Sequence, residues 1–238
     1  MITKHQLFLA KTQIMTKNLP DTIEIPSFFT FSNYHSLCEQ LANNDEDLKT
    51  ILTQHGYPPM WTRKNTFETL VHIILEQQVS LASALAALNK LREKTRGITP
   101  DSILCLSDEE MRACFISRQK TAYIRELANA IDSRQISLRD MTTMSNEDIR
   151  RQLIRLKGIG NWTIDVYLIF TLQRADIFPI GDLAAVNAVK RLKQLSPSTT
   201  RENILEISEQ WKPFRSIACM MLWHYYLSNT SKKITYTK

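Results

Sequence analysis

Two glycines, an asparagine, a tryptophan and an aspartate are the residues whose types and spacing suggest chemistry. Gly158 and Gly160 lie in the run LKGIGNWTID, residues 156–165, and are two of only five glycines in 238 residues. Glycine opens backbone conformations closed to residues with a Cβ, so a G-x-G between helices permits a sharp hairpin. The helix that follows, starting near Asn161, would present unpaired backbone N–H groups and the positive end of its dipole. Both suit a phosphate. With no side chain at the glycines, a DNA backbone can approach the main chain of Gly158, Ile159, Gly160 and Asn161 closely, a contact that positions without reading sequence. A tight structural turn is the alternative reading of the motif alone. Asp182 follows a Pro179–Gly181 break, 22 residues after Gly160. It stands where another helix should begin, and one helix and a turn fit the gap, so its carboxylate can face the same cleft. A helix start also favours the ionised carboxylate, although aspartate there often serves only as an N-cap.

The elements that must hold these residues read as helix. Phe67, Leu70, Val71, Ile74 and Leu75 recur at helical spacing in FETLVHIILEQQVS. Ser80 is a candidate N-cap for SLASALAALNKLREK, and Ser107 with Glu110 has the spacing of a capping box. YHSLCEQLANN and EDLKTILTQHG read as two helices, the second stopping at Gly56. The expectation is an all-α protein of about ten short helices. The stretch DTIEIPSFFTF, near the N-terminus, reads as extended structure or an arm.

Composition narrows the class. With 43% hydrophobic residues the chain can build a real core, and few glycines and prolines argue against a turn-rich β protein. No stretch approaches the roughly 20 apolar residues of a membrane span, and no secretory signal is evident. The four cysteines, Cys38, Cys105, Cys114 and Cys219, are scattered and lack C-x-x-C pairing, which points to a reducing compartment. His72 and His224 lack metal-site spacing and read as structural. A net charge of +6 leans mildly towards a polyanionic partner.

The ordered set FETLVHIILEQQVS, SRQKTAYIRELA, LKGIGNWTIDVYL, FPIGDLA and WKPFRSIACMMLWHYY resembles the helix–hairpin–helix–Gly/Pro–Asp superfamily of base-excision DNA glycosylases. Within it the match points to the DNA-3-methyladenine glycosylase II (AlkA-type) branch, from about Leu41 to Leu227. The resemblance implies two helical lobes with a DNA-binding cleft. Residues 66–180 would form a bundle carrying a wedge and the hairpin, 33–65 and 181–238 a second lobe, and 1–32 a short N-terminal extension. The larger relatives' added β-rich domain looks absent or reduced.

By the same resemblance Asp182 is the catalytic aspartate, stabilising positive charge on the sugar as a glycosidic bond breaks and helping a water attack. Asp165 and Asp176 are weaker rivals. Bifunctional members carry a nucleophilic lysine two residues after the second hairpin glycine; here that position is Trp162, which implies a monofunctional enzyme acting on alkylated purines and leaving an abasic site. Trp162 and Phe214 match base-pocket positions, where an electron-rich ring attracts a cationic base. Another pocket aromatic is replaced by Val166, with Tyr167 beside it as a third candidate. Trp61, Trp211, Trp223, Tyr225 and Tyr226 are expected to line core or cleft without a role. Gln78 sits where the family places the wedge that fills the gap left by a flipped base. Glu76 replaces a common glycine and should point away from DNA or accept an internal hydrogen bond. The backbone carbonyls of Ile154, Leu156 and Gly158 match a hairpin site for a monovalent cation. An iron–sulfur cluster needs four closely spaced C-terminal cysteines, and only Cys219 lies there. The implied partner is double-stranded DNA containing damaged bases, bound by a monomer that is not secreted and is cytoplasmic in a bacterium or nuclear in a eukaryote. A non-catalytic helix–hairpin–helix protein that binds damaged DNA is the alternative.

Overall fold

The computed structural model describes residues 27–229. The part of the N-terminal extension before Ser27, and the residues after Asn229, lie outside it. The described chain is helical from Tyr34 onward: α1 (Tyr34–Asn44), α2 (Glu46–His55), α3 (Phe67–Glu76), α4 (Leu81–Thr95), α5 (Pro100–Leu104), α6 (Asp108–Ala113), α7 (Arg118–Asp132), a 3₁₀ turn (Asp140–Thr142), α8 (Asn146–Leu153), α9 (Asn161–Phe170), α10 (Leu183–Leu192), α11 (Arg201–Glu209) and α12 (Arg215–Asn229).

Helix starts follow from short polar side chains. Ser80 caps α4 through Ser83 N, and Ser107 and Glu110 exchange both bonds of a capping box at α6. Each such cap satisfies a backbone donor the helix itself leaves open. Gly160, the N-cap of α9, has no side-chain oxygen to do this. The first turn of α9 is therefore left with donors for something else.

The extensive helix contacts fall into two sets. α1, α2, α10, α11 and α12 pack among themselves, and α3 to α9 do the same. Two connecting stretches cross between the sets. Asn65 Nδ2 donates to Leu138 O and Arg63 N to Phe170 O, so the end of the 33–65 segment lies on the bundle. Conversely, Ser216 N donates to Ala175 O and Ser216 Oγ accepts from Ile177 N, fastening 175–177 to α12. The extended reading near residue 28 holds in one place: Phe28 forms an isolated antiparallel bridge with Arg174, and the Arg174 guanidinium lies 4.5 Å from the Phe28 ring centroid. On α3, the predicted apolar face is fully buried at Leu70, Val71 and Ile74. Truncating one of these to alanine would cost about 2–5 kcal/mol.

Candidate active site and nucleic-acid interface

The hairpin is shaped by one glycine and left open by the other. Gly158 has φ +86°, and a Cβ there would lie 2.0 Å from the Tyr123 ring of α7. Tyr123 thus packs directly on the turn. Gly160 has φ −101° and nothing within 4 Å of where a Cβ would sit. It is exposed, as is Asn161. Ile159 turns its side chain into the core, at 3% exposure, so only its main chain can serve DNA. The helix before the hairpin ends at Leu153, three residues short of the predicted Leu156, and a turn carries the chain on to Gly158. Arg150 on α8 holds the next helix in place: its guanidinium donates to Asn161 Oδ1 (2.8 Å) and Asp165 Oδ1 (2.6 Å).

Gln78 is exposed, in the turn between α3 and α4, with φ +57°. Its neighbours hold that turn on both sides. Gln77 Nε2 donates to Gly158 O (2.8 Å) and Thr163 Oγ1 (2.9 Å), and Lys120 Nζ donates to Leu75 O and Gln77 O. The candidate wedge and the hairpin are therefore one hydrogen-bonded unit. Glu76 accepts internal hydrogen bonds, as expected for a carboxylate kept from DNA. Arg63 Nη2 meets Oε1 at 2.7 Å and Nη1 meets Oε2 at 2.9 Å, while His72 Nε2 lies 3.5 Å from Oε1.

Asp182 caps α10 and does more. Its Oδ1 accepts from Ala185 N (2.8 Å) and from Trp223 Nε1 (2.9 Å); its Oδ2 accepts from Trp162 Nε1 (2.9 Å). Gly181 makes room for this: a Cβ there would lie 3.3 Å from Trp162 Cβ. The three donors are neutral N–H groups, so the carboxylate is oriented without being neutralised by a cation. Its rivals differ. Asp165 is buried and paired with Arg150, its carboxyl pushed up by burial against the pull of that guanidinium. Asp176 is gripped by Arg215 through Nε (2.7 Å) and Nη2 (2.9 Å). Beneath the site Cys219 is completely buried; burial first, and the charges of Asp182 and Asp165 second, push its thiol well above the usual range.

Two pocket expectations need correction. Tyr167 is fully buried, and its hydroxyl donates to Asn65 Oδ1 at 2.8 Å. Five residues on from Trp162 is about 140° around a helix, which turns Tyr167 into the bundle. Phe214 is 4% exposed at the start of α12, where its carbonyl accepts from Ile217 N and Ala218 N. Of the three candidates, Trp162 alone is partly exposed. Trp223, expected to be mere lining, is a partner of Asp182 instead. Two of the three hairpin carbonyls named for a monovalent cation each accept a hydrogen bond from within the protein. Gly158 O faces inward to Gln77, and Leu156 O accepts from Ile159 N.

Residues 71–213, which span the hairpin and Asp182, match the model of the HhH-GPD superfamily of base excision DNA repair proteins. The chain belongs to this superfamily. It is 32% identical over 231 residues to DNA-3-methyladenine glycosylase 1 of Schizosaccharomyces pombe, covering 94% of this chain and 97% of that protein. It is 29% identical over 184 residues to the putative DNA-3-methyladenine glycosylase YfjP of Bacillus subtilis, covering 74% and 64%. Among solved structures, S. pombe 3-methyladenine DNA glycosylase (Mag1) in complex with abasic DNA superposes with a TM-score of 0.72 at 30% identity. It covers 79% of this chain and 95% of that one. Superfamily membership matches the all-α helix–hairpin–helix fold described above. No helix among the described residues is long and apolar enough to cross a membrane.

Proposed function

We propose that this HhH-GPD protein is a monofunctional DNA glycosylase of the 3-methyladenine type II kind. It hydrolyses the N-glycosidic bond of alkylated purines such as 3-methyladenine and 7-methylguanine in base excision repair, and leaves an abasic site. The observation that carries this reading is Asp182, an aspartate held by two indoles and a helix N-terminus beside an uncapped hairpin helix. The names of its relatives agree with it. A protein that only binds DNA needs neither a carboxylate so oriented nor a tryptophan beside it.

Each group has a part. The N–H groups of the α9 first turn and the bare Gly160 hold a phosphate near the lesion. Gln78, at the tip of its clamped turn, fills the space of the base that leaves the stack. Trp162 offers its ring to the extruded base; a cationic purine over it gains about 0.5–2 kcal/mol. As the bond from C1′ to the base nitrogen lengthens, the sugar gains positive charge and the electron pair leaves with the base. A base that is already cationic departs neutral, so no protein acid is required at its ring. The Asp182 carboxylate stabilises the sugar's charge and takes the proton released by the water that adds to C1′. Trp162 has no amine, so no Schiff base forms. No metal or cofactor enters these steps.

The test is incubation of methylated duplex DNA with the protein and chromatography of what is released. Free 3-methyladenine or 7-methylguanine, with the strand intact until alkali is added, is the expected result. Intact methylated bases, or strand scission without alkali, would contradict the reading.

A further inference from the structure

Behind the site lies an ion pair that the chemistry above does not use. Arg63 is in the segment between α2 and α3, and Glu76 is the last residue of α3, its side chain 5% exposed. Their contact is bidentate, which fixes the guanidinium plane as well as its position. Arg63 is anchored at its other end too: its N–H donates to Phe170 O at 2.8 Å. Its guanidinium carbon lies 5.4 Å from the Phe170 ring centroid, and that ring in turn lies 5.1 Å from the ring of Trp223. Trp223 Nε1 donates to Asp182 Oδ1. Glu76, Arg63, Phe170, Trp223 and Asp182 are thus in unbroken contact. The first of them lies two residues from Gln78, and Phe170 ends the helix whose second residue is Trp162.

We propose that Arg63 and Glu76 are positioning residues for the glycosylase reaction: the pair sets the Phe170 ring, and through it the Trp223 indole that aims Asp182. A buried carboxylate at the end of α3 would otherwise be costly, since one polar partner lost leaves an unpaired buried charge. The pair therefore has one stable geometry, and that geometry connects the turn that meets the DNA with the group that acts on the sugar. The assignment rests on the glycosylase reading for its kinetic consequence and on geometry alone for its effect on Trp223.

The test uses the full chain and two variants. Glu76→Gln keeps the shape and removes the charge. Arg63→Met/Glu76→Met removes both charges and leaves none unpaired, so it folds even where the single change does not. Indole N–H resonances are recorded by NMR, with Trp223 assigned from Trp223→Phe. Trp211, whose Nε1 donates to Asp45 at 2.8 Å elsewhere, serves as the internal control. Single-turnover base release and affinity for an abasic duplex are measured alongside. The expected result is a displaced Trp223 resonance with Trp211 unmoved. Base release should slow roughly 10- to 100-fold, the cost of a small misplacement, with affinity for the abasic duplex unchanged. A Trp223 resonance unmoved in folded variants overturns the proposal, as does base release that falls only in proportion to the folded fraction. Wild-type protein that releases no base would instead defeat the glycosylase reading, and the resonances would still decide whether the pair sets Trp223.

Discussion

Trp162 Nε1–H donates to Asp182 Oδ2 across 2.9 Å, joining the helix that starts at the hairpin to the helix that carries the carboxylate. One bond thus spans the two packed sets of helices at the candidate site. In the proposed reaction this indole, at the position where bifunctional relatives carry a lysine, orients the carboxylate and offers no amine for a Schiff base.

The indole donors should matter to rate more than to folding. Trp223→Phe keeps most of the ring but deletes its N–H donor to Asp182. A hydrogen bond to a charged group contributes about 1.5–3 kcal/mol, and about 1.4 kcal/mol is tenfold in rate. Single-turnover base release should therefore slow roughly 10- to 100-fold with DNA affinity kept. Trp211→Phe is the contrast. It removes a donor to Asp45, which also pairs with Lys193, so the urea midpoint should drop while the rate per folded molecule holds. The opposite pattern would show that Trp223 is only a core residue.

The two hairpin glycines should respond differently to alanine. At Gly158 the positive φ costs about 1–3 kcal/mol, and the Tyr123 ring must also move. Thermal melts should fall by several degrees. At Gly160 a Cβ meets nothing, so the melt should hold; duplex binding should weaken, because in the proposed reading the methyl group would stand in the path of a phosphate. Equal melting losses in both variants would contradict the geometry.

Borohydride should trap no protein–DNA adduct with a methylated duplex, since Trp162 offers no amine. Introducing one with Trp162→Lys tests the position itself. That variant also loses a donor to Asp182, so base release should fall, and any trapped adduct should appear only there. A trapped adduct with the wild type would refute the monofunctional reading.

Acid should weaken the fold through His72. Burial, the larger influence, and the nearby Arg63 and Arg92 hold its imidazole below the usual value of 6.5, against the opposing pull of Glu76. Unfolded chains take up the proton below about pH 6.5 and the folded form resists it, so stability is present above that pH and lost as pH falls through the lower folded value. Urea midpoints for the wild type should decrease between about pH 7.5 and 5.5, and His72→Gln should decrease less. Parallel decreases would remove His72 from the account.

Local signals proved legible where the chemistry is local. Gly158, Gly160 and Asp182 are punctuation in a helical sequence, and each stands at the turn or cap its type requires. Ser80 and Ser107 likewise announce helix starts by short-range hydrogen bonds. Trp223 carries no local signal of its role: its partner lies 41 residues away and its surroundings, CMMLWHYY, look like plain core. Nothing in the local pattern marks one indole in an apolar helix as aimed at a carboxylate. Adjacency to Val166 in sequence does not place Tyr167 on the same face, because one residue along a helix is about 100° of rotation. Arg63 could not be placed at all, because its partners come from the ends of two different helices.

The central claim is that Asp182 performs glycosidic hydrolysis. Its most direct test is base release from methylated duplex DNA by the wild type and by Asp182→Asn, side by side, with binding to an abasic duplex measured for both. The amide keeps the shape and much of the hydrogen bonding but carries no charge to stabilise the sugar. Release of alkylated purine by the wild type alone, with binding equal or tighter in the variant, is the predicted result. Full activity in Asp182→Asn would contradict it.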